Sequence, residues 1–312
     1  MSGRADAPCP YHAAGRWARE RFGCGIFRVV VDAGFSCPNR DGALARDGCL
    51  FCSIDGFRPP TSRPHLTVSA QIARALPVLR RRYPRAGGYL VYFQPYTNTY
   101  GPPEKLDAAL AEARAAEGAL GVVVGTRPDA LGDETCDLLA AFARESFLQV
   151  EIGVQSTDDA VLARMRRGHA WEDARRAIAR CRARGLRVGA HMILGTPWES
   201  VESQWSGAAL LSAAGIDAVK LHHLQVIRGS VLAREWEGSP EPLPGWRDYA
   251  LIAAGFLERL APRVVVERLC ATTRPGMLIA PQWAAGADRV RAEIRRVLIE
   301  RGSSQGTVAA GP

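Results

Sequence analysis

Three cysteines stand close together near the start of the chain, in the segment CPNRDGALARDGCLFC. Eleven residues separate Cys37 from Cys49, and two separate Cys49 from Cys52. Thiolates are soft ligands that suit zinc or an iron–sulfur cluster. Three thiolates on a four-iron cluster leave one iron open, and this iron can chelate the amino and carboxylate groups of S-adenosylmethionine (SAM). An electron from the cluster can then cleave the sulfonium and release an adenosyl radical.

A structural zinc site is the alternative interpretation of these cysteines. Such a site is normally closed by four ligands, and only three stand in this segment. Cys24, His65 or Cys9 would have to supply the fourth ligand. The chain contains eight cysteines, too few for a disulfide scaffold at this length. The close spacing of three of them, Cys37, Cys49 and Cys52, therefore favours metal or redox chemistry in a reducing compartment.

The cysteine segment follows the first of six apolar, partly β-branched runs. Each run precedes a stretch in which apolar residues recur at helical spacing, so strands and helices are predicted to alternate. This rhythm implies a parallel sheet, either a β/α barrel or an open doubly wound sheet, and six units favour a full or partial barrel. In barrels the loops after the strands build the active site, which is where the cysteines stand. The predicted strands are FRVVVDAGF (27–35), YLVYFQ (89–94), LGVVVG (120–125), FLQVEIGVQ (147–155), LRVGAHMILG (186–195) and DAVKLHHLQVI (217–227).

The ends of the chain and one connection predict the domain organisation. Residues 1–15 and 302–312 are rich in small, polar and turn-forming residues, so we expect them to be loosely ordered and flexible. The connection SPEPLPGW marks the start of a small C-terminal extension over 239–301, after a core at 16–238. No apolar run suits a signal peptide or a membrane span, so we expect a cytoplasmic protein with no membrane partner.

The composition is that of a folded, basic protein. Its 312 residues are 47% hydrophobic and 23% charged, which excludes intrinsic disorder and a coiled coil. Lys and Arg number 40 against 32 Asp and Glu, which gives a net charge of +8. This charge permits a nucleic-acid partner, although most of the arginines fall in amphipathic helices whose solvated faces are the other explanation.

Ordered motifs along the chain resemble a known family. GFSCPNRDG followed by GCLFC is similar to the cysteine loop of the YhcC-type radical SAM proteins, whose first gap is longer than the familiar spacing of three then two residues. These proteins are relatives of the Elongator catalytic subunit and of oxygen-independent coproporphyrinogen oxidase. The resemblance covers roughly residues 16–305. Its other motifs are YFQPYTNTYGP (92–102), VGTRPDAL (124–131), VEIGVQS (150–156), RRGH (166–169), AHMILGTPWES (190–200), VKLHHLQVIRGS (219–230) and RPGMLIAPQW (274–283).

The resemblance implies an α/β fold, the radical SAM partial TIM barrel of (β/α)6 type, with a small C-terminal extension. It implies that Cys37, Cys49 and Cys52 ligate a [4Fe–4S] cluster and that SAM is cleaved reductively to a 5′-deoxyadenosyl radical. The electron would come from a donor such as flavodoxin or ferredoxin. Because relatives in the Elongator branch modify tRNA, RNA is the implied substrate class, with a tRNA wobble uridine as the candidate base. A small metabolite is the alternative substrate.

Five residues match positions that contact SAM. Gln94 ends the second predicted strand, where radical SAM proteins commonly carry a Gly-Gly-Glu motif that receives the amino group, and it departs from that motif. Alternation along the fourth strand places Glu151 and Gln155 on one face, toward the ribose hydroxyls and the amino group. The match to coproporphyrinogen oxidase places Gln155 and Arg167 against SAM, with Arg167 facing the methionine carboxylate. Gly195 resembles the motif near adenine. The plain alternatives are strand-end packing for Gln94, a solvated charge for Arg167 and an ordinary turn for Gly195.

Five further residues are candidates for the substrate pocket. His191, Lys220 and His222 match family positions near strand ends, from which they could face the substrate. Tyr96 and Asn98 belong to a polar, aromatic loop after the second strand. Histidines are often satisfied core residues, and loops of this composition also occur without function.

Overall fold

The computed structural model describes residues 9–238 and 240–308. Within them the strands are β1 (Gly25–Val31), β2 (Ala86–Phe93), β3 (Ala119–Thr126), β4 (Phe147–Gln155), β5 (Arg187–Leu194), β6 (Ala218–His223), β7 (Val226–Ile227), β8 (Val265–Arg268) and β9 (Leu278–Ala280). The helices are α1 (Ala14–Phe22), α2 (Ile54–Phe57), α3 (Val68–Arg82), α4 (Pro103–Ala115), α5 (Asp133–Ala143), α6 (Asp159–Arg164), α7 (Trp171–Ala183), α8 (Val201–Ala214), α9 (Val231–Gly238), α10 (Trp246–Arg259) and α11 (Ala287–Glu300).

Seven parallel strands form one curled sheet in the order β1-β2-β3-β4-β5-β6-β8. Helices connect successive strands, which confirms the predicted α/β partial barrel. The two edge strands face each other across an open seam, where Arg28 of β1 forms an ion pair with Glu267 of β8 at 2.7 Å. The segment before α1 also pairs with the edge strand β8, through a bridge between Ala13 and Val266. Within the described residues, no helix is long and apolar enough to cross a membrane.

The six predicted strands all occur, and a seventh joins them. The fourth predicted run coincides with β4, whereas the sixth divides into β6 and β7. The apolar run VVVERL (264–269), which falls in the predicted C-terminal extension, forms β8 and pairs with β6 in the main sheet. The extension therefore completes the barrel wall. The proposed boundary residue 239 lies outside the described part of the chain, and the division at that point stays a prediction.

The two faces of the sheet have different partners. Outward side chains such as Val29, Val122 and Ile152 are fully buried against the helices. Inward side chains on β2 and β3 form a smaller apolar cluster, while those on β4, β5 and β6 are largely polar. Such an interior differs from the Val, Ile and Leu layers that fill most TIM barrels.

Both described ends of the chain contact the body of the protein. The Gln305 side chain accepts a hydrogen bond from the His12 amide at 2.8 Å and donates to the carbonyls of Ala261 and Val264, each at 2.8 Å. Gln305 is only 6% exposed. The loosely ordered ends expected at 1–15 and 302–312 stay a prediction. Residues 1–8 and 309–312 lie outside the described part of the chain.

Candidate active site

One cavity at the carboxyl ends of the strands gathers most of the predicted site residues. The loop after β1 forms one wall, with Cys37, Cys49 and Cys52. The remaining wall and the floor come from the ends of β2 to β6 and β8. The predicted residues that line it are Gln94, Tyr96, Glu151, Gln155, Arg167, His191 and His222. Asn98, Lys220 and Gly195 are not among the lining residues.

Short turns shape the cysteine loop, which we define as residues 32–53. The Arg40 amide donates to the carbonyl of Cys37 at 2.7 Å, and the Cys52 amide donates to that of Cys49 at 2.9 Å. Gly48 has a φ of 83°, and a Cβ atom there would lie 3.0 Å from the Arg40 guanidinium. Glycine at this position therefore lets Arg40 cross the loop closely.

Hydrogen-bond donors surround the thiol of Cys49. It accepts from Asn39 Nδ2 and from Arg167 Nη1, both at 3.1 Å. Burial alone would raise the pKa of Cys49, but the charge of Arg167 and the hydrogen bond from Asn39 lower it below the ordinary value. Donors and positive charge favour the thiolate, which is the form that binds metals.

The thiol of Cys52 has a different environment. Burial raises the pKa of Cys52 to about 11, and the neighbouring Cys49 adds to the rise. Arg40 opposes this, because its Nη2 atom lies 3.5 Å from the sulfur and 3.1 Å from the Cys52 carbonyl oxygen. A bound metal deprotonates a coordinating thiol outright, so a raised pKa in the free protein is compatible with ligation.

Two buried arginines stand behind the cysteine loop. Arg167 donates to the Gly153 carbonyl at 2.6 Å and to His169 Nε2 at 3.2 Å, besides its contact with Cys49. Arg127 donates to the Arg167 carbonyl at 2.6 Å, and its Nη1 atom is buried without a partner in the described structure. Both arginines line the cavity. The donor set, three thiols with cationic neighbours, fits an anionic iron–sulfur cluster.

Sequence reasoning overlooked the residues around the thiols. Asn39 and Arg40 lie inside the cysteine segment, and Arg127 directly follows β3, at the edge of the sheet where active-site loops begin. That position was the available signal for Arg127. The contacts of Asn39 and Arg40 depend on how the loop folds, and the sequence pattern alone carries no such information.

The zinc alternative finds no fourth ligand at Cys24. This residue precedes β1, so roughly 20 Å of extended strand separates it from the cysteine loop. It lies instead beside Gly87. His65 is exposed on the segment before α3. In the part of the chain that the structure describes, no three His, Cys, Asp or Glu side chains are grouped to hold a single metal ion.

A network of charged side chains fills the barrel interior below the cavity. We call Arg28, Glu151, His191, Lys220 and Glu267 the interior network. Glu151 accepts hydrogen bonds from Arg28, from His191 Nε2 at 2.7 Å and from Lys220 Nζ at 2.5 Å. Glu267 forms an ion pair with Arg28, whose Nη2 atom lies 2.7 Å from Oε1, and its Oε2 atom lies 3.8 Å from Lys220 Nζ. Gln149 Nε2 also donates to Glu151 at 3.3 Å, so this carboxylate, expected to contact SAM, already has four protein partners.

The network shifts the pKa values of its members. Burial opposes ionisation of Glu151, yet the charges of Arg28 and Lys220 hold its pKa well below the usual range. Burial and the repulsion of Arg28 lower the pKa of Lys220 to about 7. Burial also lowers the pKa of His191, in spite of Glu151. Because a carboxylate only accepts, His191 must carry its proton on Nε2.

The two candidate residues in the loop after β2, Tyr96 and Asn98, have different environments. Tyr96 lines the cavity and has a φ of 64°, a conformation that is uncommon outside glycine. Asn98 is fully buried, and its Nδ2 atom donates to the carbonyls of Phe93 at 3.0 Å, Pro95 at 3.1 Å and Gly125 at 2.9 Å. Asn98 therefore positions this loop against β3.

The ends of β4 and β5 are irregular where the predicted SAM contacts stand. Gln155 has a φ of 74°, and the pairing of β4 with β5 shifts between Gly153 and Gln155. Gly195 has a φ of 72°, and its amide donates to Gln204 Oε1 at 2.7 Å. A Cβ atom at Gly195 would lie 2.8 Å from Pro244. Glycine is therefore required for the chain to leave β5 in this direction.

Comparisons with known proteins agree with this geometry. The radical SAM superfamily matches residues 37–204, and the radical SAM C-terminal domain matches residues 216–300. The chain is 32% identical to protein YhcC of Escherichia coli, over 94% of this chain and 93% of that protein. It is 28% identical to the tRNA uridine(34) acetyltransferase of Dehalococcoides mccartyi, over 58% of this chain and 39% of that protein.

The fold also matches a solved structure. Elp3 of Methanocaldococcus infernus, with an N-terminal deletion, superposes with a TM-score of 0.67 at 17% identity. The match covers 90% of this chain and 64% of that one, so this chain spans less than two thirds of Elp3. The superposition shows a shared fold, and the family matches over the sequence identify it as the radical SAM fold. This chain belongs to the radical SAM superfamily and, within it, to the family of YhcC-type proteins.

Proposed function

We propose that this radical SAM enzyme binds a [4Fe–4S] cluster through Cys37, Cys49 and Cys52, with SAM beside the cluster in the same cavity. The observation that carries the proposal is the placement of all three cysteines on one wall of a cavity lined by polar strand ends. When bound, the cluster supplies the electron that cleaves SAM into methionine and a 5′-deoxyadenosyl radical. Flavodoxin or ferredoxin is the proposed electron donor.

The side chains of the protein would hold SAM in place. Gln94 and Gln155 line the cavity at the ends of β2 and β4, where amide groups can pair with the amino group and ribose of SAM. Arg167 is held by Gly153 and His169 beside Cys49, and from there its guanidinium would pair with the methionine carboxylate. The turn that Gly195 forms at the end of β5 would lie near the adenine. We propose that His191 and His222 face the substrate, while Glu151 and Lys220 support them from below.

For the substrate we propose RNA, with a tRNA base as the site of modification. One matching protein supports this by its name, the tRNA uridine(34) acetyltransferase. The net charge of +8 suits a phosphate backbone. A cytoplasmic location is consistent with such a substrate. A small metabolite is the alternative, and the experiments below separate the two.

The cluster proposal is tested by anaerobic reconstitution. The wild-type protein should hold about four iron and four sulfide per chain and, once reduced with SAM, release 5′-deoxyadenosine. Cys37→Ala, Cys49→Ala and Cys52→Ala should each lose both properties. Cys24→Ala is the matched control and should keep them, because Cys24 lies at the other end of β1. Release of 5′-deoxyadenosine by all three variants would overturn the proposal.

The RNA proposal is tested in cells and by binding. Nucleoside profiles of tRNA from cells with and without this gene should differ by one modified nucleoside. The affinity of the purified enzyme for bulk tRNA should fall steeply with salt, since phosphate contacts release counterions. An unchanged profile together with weak, salt-independent binding would reject RNA and favour the small metabolite.

A further inference from the structure

Arg268 stands on the cavity floor without an acidic partner. It is the last residue of β8, is exposed and lines the cavity. Its Nη1 atom lies 3.4 Å from Nε2 of His222. Within residues 9–238 and 240–308, no carboxylate forms an ion pair with it. A guanidinium that points into a concave site and has no counter-ion is a ready partner for an anion.

The charges beneath Arg268 are already balanced among themselves. Arg28 and Lys220 are both paired with Glu151 and Glu267, so two cations meet two carboxylates. Arg268 adds one uncompensated positive charge at the top of this group. It also contributes to the lowered pKa of Lys220, after burial and the larger effect of Arg28. The cavity floor is therefore positive overall before a ligand enters.

Two further donors line the cavity together with Arg268, namely His222 and Thr272. An arginine only donates, so His222 must accept on Nε2 and carry its proton on Nδ1. Burial and the charge of Arg268 lower the pKa of His222 well below its ordinary value, which keeps the imidazole neutral. Thr272 lines the cavity and offers a hydroxyl, and Thr273 beside it donates to Gln225. Donors from β6, from β8 and from the segment after β8 suit a group whose oxygens point in several directions.

We propose that Arg268, together with His222 and Thr272, binds a phosphate group of the substrate on the floor of the cavity. This inference rests on the proposed function, because it assigns the substrate to the cavity that also holds SAM. The phosphate can belong to a nucleotide within RNA or to a small phosphorylated metabolite. Its charge would compensate Arg268 through a charge-assisted hydrogen bond, which is stronger than one between neutral groups.

The test compares a phosphorylated ligand with its neutral parent. Calorimetric titration of the cluster-loaded protein should show that ribose 5-phosphate binds at least about tenfold more tightly than ribose. Arg268→Gln should abolish this preference, and Arg268→Lys should keep part of it. Arg228→Gln is the matched control: Arg228 is also exposed and follows the lining residue Ile227, but it donates to the Gly276 carbonyl and is absent from the cavity lining.

The outcomes separate this inference from the proposed function. Binding needs no turnover of SAM, so a protein that fails to release 5′-deoxyadenosine can still show the phosphate preference. A short single-stranded RNA whose affinity falls in Arg268→Gln identifies the phosphate as one from RNA. Dependence on Arg268 for ribose 5-phosphate alone identifies a metabolite. Equal binding of ribose and ribose 5-phosphate to the wild-type protein, or an unchanged preference in a folded Arg268→Gln variant, overturns the phosphate site.

Discussion

At the scale of single residues, Glu151 is a charge with no access to water. Its side chain is 0% exposed, and its partners are the cations of the interior network. Glu151→Gln would leave Arg28 and Lys220 buried beside Glu267 alone. We expect the free energy of unfolding to fall by about 3 kcal/mol, because an uncompensated buried charge is costly. Urea denaturation at pH 7 measures this loss.

An exposed carboxylate serves as the control for that experiment. Glu145 forms a surface ion pair with Arg114 and is 66% exposed. Glu145→Gln should change stability very little, since surface pairs are screened by water. Equal losses in the two variants would show that the interior network contributes nothing beyond an ordinary ion pair.

The same residue predicts how stability depends on pH. The pKa of Glu151 is lowered in the folded protein from a reference value of 4.5. Its contribution is therefore fully present above pH 4.5 and is lost as the pH falls toward the folded-state value. Urea titrations between neutral pH and pH 3 should show a steeper loss for the wild type than for Glu151→Gln. Parallel curves would contradict this assignment.

The arginines next to the thiols predict an effect on the proposed cluster. Positive charge and hydrogen bonds to ligating sulfur stabilise the more negative, reduced state and raise the reduction potential. Arg167→Gln should therefore shift the midpoint to more negative values in a titration followed by electron paramagnetic resonance. Arg175, an exposed arginine paired with Glu172, supplies the control variant Arg175→Gln. An unchanged midpoint in Arg167→Gln at full iron content would refute this role.

At the scale of elements, the loop after β2 depends on one amide. Asn98→Ala would remove three hydrogen bonds to buried carbonyls. We expect a loss of about 2 kcal/mol in the free energy of unfolding, because the carbonyls of Phe93 and Pro95 would lose this buried donor, while that of Gly125 keeps the backbone amide of residue 98 at 3.2 Å. Chemical denaturation measures it, with the exposed amide variant Gln282→Ala as the control. A fully stable Asn98→Ala variant with impaired substrate binding would instead support the substrate role expected from the sequence.

Six strands of the main sheet could be predicted from the sequence, but the seventh, β8, could not. Period-two apolar runs followed by amphipathic stretches identify six strands, and β4 was located to the residue. The seventh strand, β8, is a short run beyond a Pro-rich connection, where nothing local separates an extension from a barrel strand. Its membership depends on pairing with β6, a contact between segments distant in sequence.

The candidate site shows the same division. The cysteine loop was readable because its ligands are close in sequence and chemically distinctive. The distant partners of Glu151 come from β1, β5 and β6 and meet only when the sheet curls. Arg28 in particular stands in an apolar strand, where a lone charge gives no indication of its partner. Alternation along β4 places Glu151 and Gln155 on the inner face of the sheet. It carries no information about the partners of Glu151, because these lie on other strands.

At the scale of the whole molecule, the chain ends help to hold the barrel together. Gln305 joins the segment before α1 to the segment between α10 and β8 through buried hydrogen bonds. Gln305→Ala should lower the free energy of unfolding by about 2 kcal/mol, because the carbonyls of Ala261 and Val264 and the amide of His12 would lose this hydrogen-bond partner. Thermal and urea unfolding measure this, with Ser304→Ala on the exposed turn as the control. Unchanged stability would support the expectation of a loose tail.

The interior network also limits how this enzyme can diverge. Its carboxylates and cations lie beneath the cavity floor. Their ion pairs also join β1, β4, β6 and β8 to one another. A single substitution there costs stability before it can alter specificity, and effects of neighbouring substitutions are not additive. New substrates are reached more readily through the segment after β8, at residues 271–273, which lines the cavity without joining the network. Changes in substrate specificity should therefore arise in residues 271–273, while the charged residues of the interior network stay unchanged together.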